Sequence, residues 1–253
     1  MKTGTVVSTC IPFGDKGINE TFRCSVLSSG IIKPVFMKII PEHEIAIEYI
    51  CANIGRTVGL PIPEPIVTIC DSKFLPSLIN LGQRKICFSS IDVGCPSFLR
   101  TLNNSVVVFR MLLGFDVVSE VSAFDEWIIN TDRHPGNILF DGGDKIFFID
   151  HGFALKFIGP VNDLSPKNQV IEAFLGYLDK IKVIEKYNYI EKRFIPRLSD
   201  INVDAIFDDD FIKFGLIDNT ESVRLKLYLR DRIPYLSNLI NRRFDVPQME
   251  LPL

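Results

Sequence analysis

"NTDRHPGNILFDGGDKIFFIDHG", residues 130–152, sets Asp132, Asn137 and Asp150 among apolar and turn-forming residues. Ionised carboxylates are costly in such surroundings unless something compensates them. Three such polar groups in one place point to a ligand that brings positive charge. Ile138 to Phe140 and Ile146 to Ile149 read as short strands. DGGDK joins them, with glycines suited to a tight turn. With Gly143 and Asp144 as a two-residue loop, Phe140 pairs with Phe147 and Asn137 with Asp150. The hairpin then brings Asn137 and Asp150 together at its open end. Asp132 sits five residues before Asn137, in a loop with Pro135 and Gly136. Two oxygen ligands side by side, with a carboxylate nearby, suit Mg²⁺ held against substrate phosphates.

That spacing meets the needs of phosphoryl transfer. An aspartate accepts or orients the attacking hydroxyl, and an asparagine five residues on binds one Mg²⁺. A second aspartate, after a hairpin, binds the metal that bridges the phosphates. The stretch AFDEWIINTDRHPGNILFDGGDKIFFIDHG, residues 123–152, resembles the HipA-like branch of the protein-kinase-like superfamily. Its Asp-Arg-His, Asn and Ile-Asp-His-Gly order also resembles phosphatidylinositol 3- and 4-kinases. The DRHPGN…FID core is similar to that of aminoglycoside and choline phosphotransferases. The resemblance implies Asp132 as catalytic base or substrate-orienting carboxylate, Asn137 and Asp150 as Mg²⁺ ligands, and ATP as phosphoryl donor. His134 is a candidate either for stabilising negative charge in transfer, as in lipid kinases of this order, or for supporting the catalytic loop. The supporting role is favoured, for His151 as well. Arg133 either meets a carboxylate or faces solvent. Two departures from eukaryotic protein kinases stand out. The catalytic aspartate stands in the order Asp-Arg-His, and the metal aspartate is followed by His151 rather than phenylalanine; there is also no Ala-Pro-Glu after residue 152. A conventional activation segment with a phosphorylation switch is therefore not implied.

Upstream, Lys38 lies in the apolar stretch VFMKII. A lysine there either sits at a solvated edge or needs an anionic partner. The kinase resemblance supplies phosphates and a helix glutamate. Glu44 and Glu48 share one face of the following helix, and the resemblance favours Glu48, with Glu44 as fallback. Gly14 and Gly17 in FGDKGINET suit a loop that lays backbone N–H groups over phosphates. Phe88 and Ser89, in CFSSI, fall where a kinase joins its lobes, so their backbone is expected to meet adenine.

The totals agree with such a chain. It has 253 residues, 47% hydrophobic and 23% charged, enough for a sizeable core. A net charge of -3 gives no basic excess, so direct nucleic-acid binding is not expected. No apolar run reaches membrane-spanning length, and no signal peptide opens the sequence, so a cytoplasmic location is expected. The six cysteines all lie within the first 95 residues with no CxxC pair, which reads as reduced, mostly buried thiols rather than a zinc site. β-Branched and aromatic runs dominate up to that point, with one helical period beginning at Pro41. After Pro96 the character is mainly helical. Pro234 is expected to kink or divide the last helix. The expected fold is α+β and bilobed, protein-kinase-like. Residues 1–95 form a small antiparallel sheet with one helix, the nucleotide clamp. Residues 96–253 form a mainly helical lobe that carries the catalytic loop and metal-binding hairpin.

The function expected is an ATP- and Mg²⁺-dependent serine/threonine protein kinase. By resemblance, HipA-like kinases often act as toxins checked by an antitoxin, so a protein substrate and a regulatory protein are the expected partners. The alternatives are a small-molecule or lipid phosphotransferase on the same scaffold, and a non-catalytic nucleotide-binding module.

Overall fold

The structure, a computed structural model, describes residues 1–14, 20–97 and 105–245. Among these, the strands are β1 (Thr3–Val6), β2 (Ile11–Pro12), β3 (Thr21–Ser28), β4 (Ile31–Lys38), β5 (Pro65–Asp71), β6 (Arg84–Ile91), β7 (Ile138–Phe140) and β8 (Ile146–Phe148). The α-helices are α1 (Glu42–Thr57), α2 (Ser105–Leu112), α3 (Asp116–Trp127), α4 (Gln169–Tyr177), α5 (Lys180–Tyr189), α6 (Ile195–Ser199), α7 (Asp210–Lys213), α8 (Asn219–Arg232) and α9 (Leu236–Phe244). The chain divides into two compact units. The first holds Met1–Pro96, Leu139–Gly152 and Asp204–Arg224; the second holds Ser97–Ile138, Phe153–Val203 and the residues from Leu225 onward.

The first unit is built on a six-stranded sheet in the order β1-β5-β6-β4-β3-β2. A further pairing of β1 with β3 joins five of these strands into a closed ring. The sheet is not wholly antiparallel, as the sequence suggested: β1 runs parallel to β5, with Thr3 opposite Val67. Period-two alternation is plain in β3, where Phe22, Cys24, Val26 and Ser28 are buried. Phe22, Cys24 and Val26 join Met37, Ile66 and Cys87 in one apolar core. All six cysteines are free thiols, five of them buried. Burial pushes the Cys87 thiol up to about 12, which keeps it protonated and inert. Residues 5–13, TVVSTCIPF, are rich in β-branched and aromatic side chains and predict one strand; they fall in two, because β1 ends at Val6 and the Ser8 hydroxyl takes the Ser25 N–H. Helix α1 lies where its period placed it and buries a continuous run from Ile45 to Ala52. Two hydrogen bonds tie the β7–β8 hairpin into this unit, from Phe140 N–H to Pro96 O and from Phe148 N–H to Pro61 O.

The second unit is helical. Gly114 lies in the break between α2 and α3, as its position suggested. The stretch NQVIEAFLGYLDKIKVIEKY has the apolar spacing of one amphipathic helix; it forms two, because the Asp179 side chain accepts the Lys182 N–H and caps a new start. Pro234 sits in a 3-10 turn that divides α8 from α9. A π-helical turn, Ile190–Phe194, links α5 to α6. Among the described residues no helix is long and apolar enough to cross a membrane.

Gly4 is where the ring closes most tightly. A Cβ there would lie 2.5 Å from Val26 Cγ1 and 3.1 Å from the Leu27 carbonyl oxygen. Gly4→Ala is therefore expected to destabilise the protein by about 1–3 kcal/mol in urea unfolding. An unchanged unfolding midpoint would contradict the close approach of β1 to β3.

Candidate active site

In the first unit, β4 alternates so that Val35 and Met37 enter the core and Lys38 faces the other way. There it meets α1. Lys38 Nζ lies 2.9 Å from Glu48 Oε1 and 3.1 Å from Asp150 Oδ1. Glu48 is the partner; Glu44, the fallback, stands one turn earlier in α1. The second oxygen of Glu48 accepts the backbone N–H of His151 at 2.7 Å, with His151 Nδ1 3.7 Å away. Glu48 is thus buried with both oxygens engaged. Asp150 stays 35% exposed, open to a ligand. Its φ of 64° is left-handed, a strained backbone for a non-glycine residue.

Burial alone would push the Lys38 ammonium down. The carboxylates of Glu48 and Asp150 outweigh it and hold Lys38 above its ordinary value. Burial would likewise raise Glu48, and Lys38 with His151 instead holds it well below the carboxylate range. Both groups therefore stay charged across neutral pH. The Lys38 contribution is full below its unfolded pKa and is lost only as pH rises beyond it. The Glu48 contribution is full above its unfolded pKa and is lost as pH falls below it.

In the second unit, α3 ends on a left-handed residue, Ile129. The Asn130 N–H reaches the Asp125 carbonyl at 2.8 Å, across Ile129 with φ 51°. This cap opens the loop that carries Asp132. Asp125, buried, grips Arg133 with both oxygens, Nε to Oδ2 at 3.0 Å and Nη2 to Oδ1 at 3.1 Å. It also accepts Asn130 Nδ2 at 3.0 Å. Asn130 Oδ1 in turn accepts the Asp132 N–H at 3.2 Å. Arg133 reaches on to the Asn137 carbonyl at 3.3 Å. Asn137 donates its amide Nδ2 to the Asp132 carbonyl at 2.7 Å, which leaves its amide oxygen as the atom suited to a cation. His134 Nδ1 accepts the Gly136 N–H at 3.0 Å, so the neutral ring carries its proton on Nε2. That nitrogen is 3.9 Å from Asp132 Oδ2. Asp132 itself is part-exposed. The loop is thus spanned by hydrogen bonds from Asp125 to Asn137, with the Asp132 carboxylate at its open side.

Three sequence expectations need correction or restriction. Phe88 and Ser89 do not offer their backbone to a base. They lie inside β6, an interior strand, where Phe88 pairs with Lys38 and Val67 and Ser89 with Met37 and Ile66. The hairpin loop has three residues, not two: the Asp141 N–H donates to Lys145 O, and Asp141 Oδ1 takes the N–H of Gly143 and of Lys145. The register that set Asn137 opposite Asp150 therefore does not hold, and neither residue belongs to a strand. Gly14 is present with a left-handed φ of 94°, whereas Gly17 lies outside the described residues. Asp125 and Asn130 were missed. The available signal was an aspartate at a buried position of α3 with an arginine eight residues on.

No three His, Cys, Asp or Glu side chains converge as a metal cluster among the described residues. The first unit offers the Asp150 carboxylate as a donor, and the second, taken by itself, offers the Asn137 amide oxygen. Hard oxygen donors, few in number, fit Mg²⁺ that keeps water and phosphate in its shell. Residues 14–158, more than half of the chain, match the HipA-like kinases. The chain belongs to the HipA-like kinase family. Among solved structures it is similar to a Helicobacter pylori proinflammatory kinase, CtkA, with a TM-score of 0.58 at 16% identity, over 99% of this chain and 100% of that one. That likeness is one of fold. No curated protein matches the sequence. Membership makes this HipA-like kinase a kinase-like phosphotransferase, in a family that uses ATP and a divalent metal.

Two outcomes follow for this HipA-like kinase. Asp125→Ala leaves Arg133 buried without its carboxylate and is expected to cost about 3–5 kcal/mol in urea unfolding. A cost near that of a surface substitution would contradict the pairing. For Lys38→Met, the loss of stability relative to wild type is expected to be full between about pH 5 and pH 10 and to shrink below about pH 4, where Glu48 of the unfolded chain takes up a proton while folded Glu48 stays ionised. Unfolding measured at pH 7 and pH 3 checks this; an equal loss at both would contradict it.

Proposed function

We propose that the chain transfers the γ-phosphoryl group of Mg·ATP to a serine or threonine hydroxyl on a protein. The observation that carries this reading is the Lys38–Glu48–Asp150 cluster, with Lys38 Nζ at 2.9 and 3.1 Å from the two carboxylates. A lysine placed on a strand, held by a helix glutamate and beside an aspartate, is the set that grips phosphates and metal in kinases. In this reading the fold is bilobed and kinase-like. Residues 1–95 clamp the nucleotide, and residues 96–253 carry the catalytic loop. Lys38 neutralises phosphate charge, and Glu48 keeps it extended. By family likeness, Asp150 in the first unit and the Asn137 amide oxygen in the second are each assigned to Mg²⁺, which would neutralise charge on the phosphates. Asp132 orients the acceptor hydroxyl and takes its proton. Gly14, with its left-handed φ of 94°, is assigned to phosphate binding together with Gly17, which lies outside the described residues. The strand end beyond Ile91 replaces Phe88 and Ser89 as the adenine strip, because the backbone there is no longer held in two ladders. His134 presents Nε2–H toward Asp132, which suits loop support and the steadying of charge during transfer. Rate acceleration rests on positioning and on electrostatic stabilisation.

A toxin-like role, with an antitoxin or other regulatory protein as partner in the cytoplasm, extends this reading by family likeness alone. The experiment is transfer of labelled γ-phosphate from Mg·ATP, with and without bacterial lysate, by wild type and by Asp132→Ala. Labelling of a discrete protein band, reduced roughly 10²–10⁴-fold in the variant, is the expected result. Labelling of small hydroxyl compounds alone would move the acceptor to a metabolite or lipid. No transfer to any acceptor, with ATP still bound, would leave a nucleotide-binding module.

A further inference from the structure

Residues 153–168, FALKFIGPVNDLSPKN, follow the Asp-His-Gly of residues 150–152 and contain one hydroxyl residue, Ser165. Kinases that are switched by phosphorylation order the stretch after their metal aspartate by pairing a new phosphate with arginines. Here a carboxylate occupies that chemical role. Glu126, in the last turn of α3, is fully buried. Its Oε1 accepts the Ser165 N–H at 2.7 Å, and its Oε2 accepts the Ser165 hydroxyl at 2.8 Å. Arg243 Nε lies 3.0 Å from Oε2 and Arg232 Nη2 lies 3.4 Å from Oε1. The same arginines then grip the segment itself. Arg232 Nη1 donates to the Val161 carbonyl at 2.8 Å, and Arg243 Nη2 donates to the Ser165 carbonyl and hydroxyl. Arg242 adds the Asn162 carbonyl at 2.9 Å. Asn168 caps α4 through Ile171 N–H and donates to the Ser122 carbonyl, closing the far end.

Two further facts point the same way. Ser165 is itself buried inside the clamp. A phosphate there would set a second anion against Glu126 in a dry site. Arg133, the arginine beside the catalytic aspartate, is also buried and spends its fork on Asp125, so its guanidinium is not presented to a phosphate from solvent.

We propose that Glu126 is a positioning residue: held by Arg232 and Arg243, it fixes residues 161–168 with a permanent carboxylate where phosphorylation-switched kinases use a phosphate. The segment is therefore ordered in the unmodified chain. The catalytic meaning of this clamp rests on the kinase reading above, whereas the clamp itself does not.

The test uses the full chain after phosphatase treatment, with intact mass showing no phosphate. Hydrogen exchange of residues 161–168 is expected to be at least ~100-fold slower than in unstructured chain. Glu126→Gln, which keeps the size and removes the charge, is expected to speed it at least ~10-fold, with peptides from β3 and β4 unchanged. Arg243→Gln acts from the less buried side of the clamp and gives the same result should Glu126→Gln fail to fold. Turnover of Mg·ATP is the second readout. It is expected to be the same before and after phosphatase in wild type, and to fall in kcat, with KM for ATP within about twofold, in Arg243→Gln. Exchange in the unmodified wild type at the rate of unstructured chain would overturn the proposal. So would an Arg243→Gln variant with wild-type exchange, or turnover that appears only after phosphorylation. A protected segment that both variants release, in a protein with no ATP turnover, would uphold the clamp and remove the kinase reading.

Discussion

Buried charge must be matched by buried charge, and this constraint organises both units. Lys38 with Glu48, Asp125 with Arg133, and Glu126 with Arg232 are each held inside protein rather than at its surface. Such pairs gain little stability over apolar residues of equal size, because desolvation offsets most of their attraction. What they do provide is direction. An ion pair out of water fixes the angle of a guanidinium or an ammonium, and with it the backbone on either side. Asp125 thereby sets the loop through Asn137, and Glu48 sets both Lys38 and the N–H of His151. The chain accepts the cost of burial where chemistry needs placed groups.

Backbone strain falls at the same places. Asp150 and Ile129 both adopt positive φ without being glycine. For a β-branched residue such as Ile129 this is a marked departure, of order 1–3 kcal/mol. It is sustained because Ile129 is buried and the Asn130 N–H reaches back to the Asp125 carbonyl. At Asp150 the left-handed turn lets the carboxylate face Lys38 while the next N–H faces Glu48. One residue thereby aims two groups at one cluster.

Much of this was legible in the sequence, for identifiable reasons. β-Branched and aromatic runs marked the first 95 residues as strand-rich, and the helical period beginning at Pro41 placed α1. Lys38 stood out because a lysine in VFMKII needs a partner, and a helix with a glutamate on the right face follows it. The parts that were not legible depend on long-range geometry. The parallel run of β1 beside β5 has no local signal, since ring closure is decided by Gly4 and Val26, distant in sequence. Phe88 and Ser89 look like a strand end in CFSSI, yet β6 continues to Ile91 and is paired on both sides. The hairpin register shifted because the Asp141 side chain satisfies two loop N–H groups, which a scan for glycine turns does not see. Asp125 and Glu126 look like ordinary helix residues until Arg133, Arg232 and Arg243 are brought to them.

Under the proposed function, Lys38 and Asp150 serve one Mg²⁺-bound nucleotide. Calorimetric titration of ATP into wild type and Asp150→Asn, with Mg²⁺ and with chelator, tests it most directly. Tight binding is expected only for wild type with Mg²⁺, weakened at least ~10-fold both by the chelator and by the substitution. Equal affinity with and without metal, or an Asp150→Asn variant that binds Mg·ATP as wild type does, would contradict it.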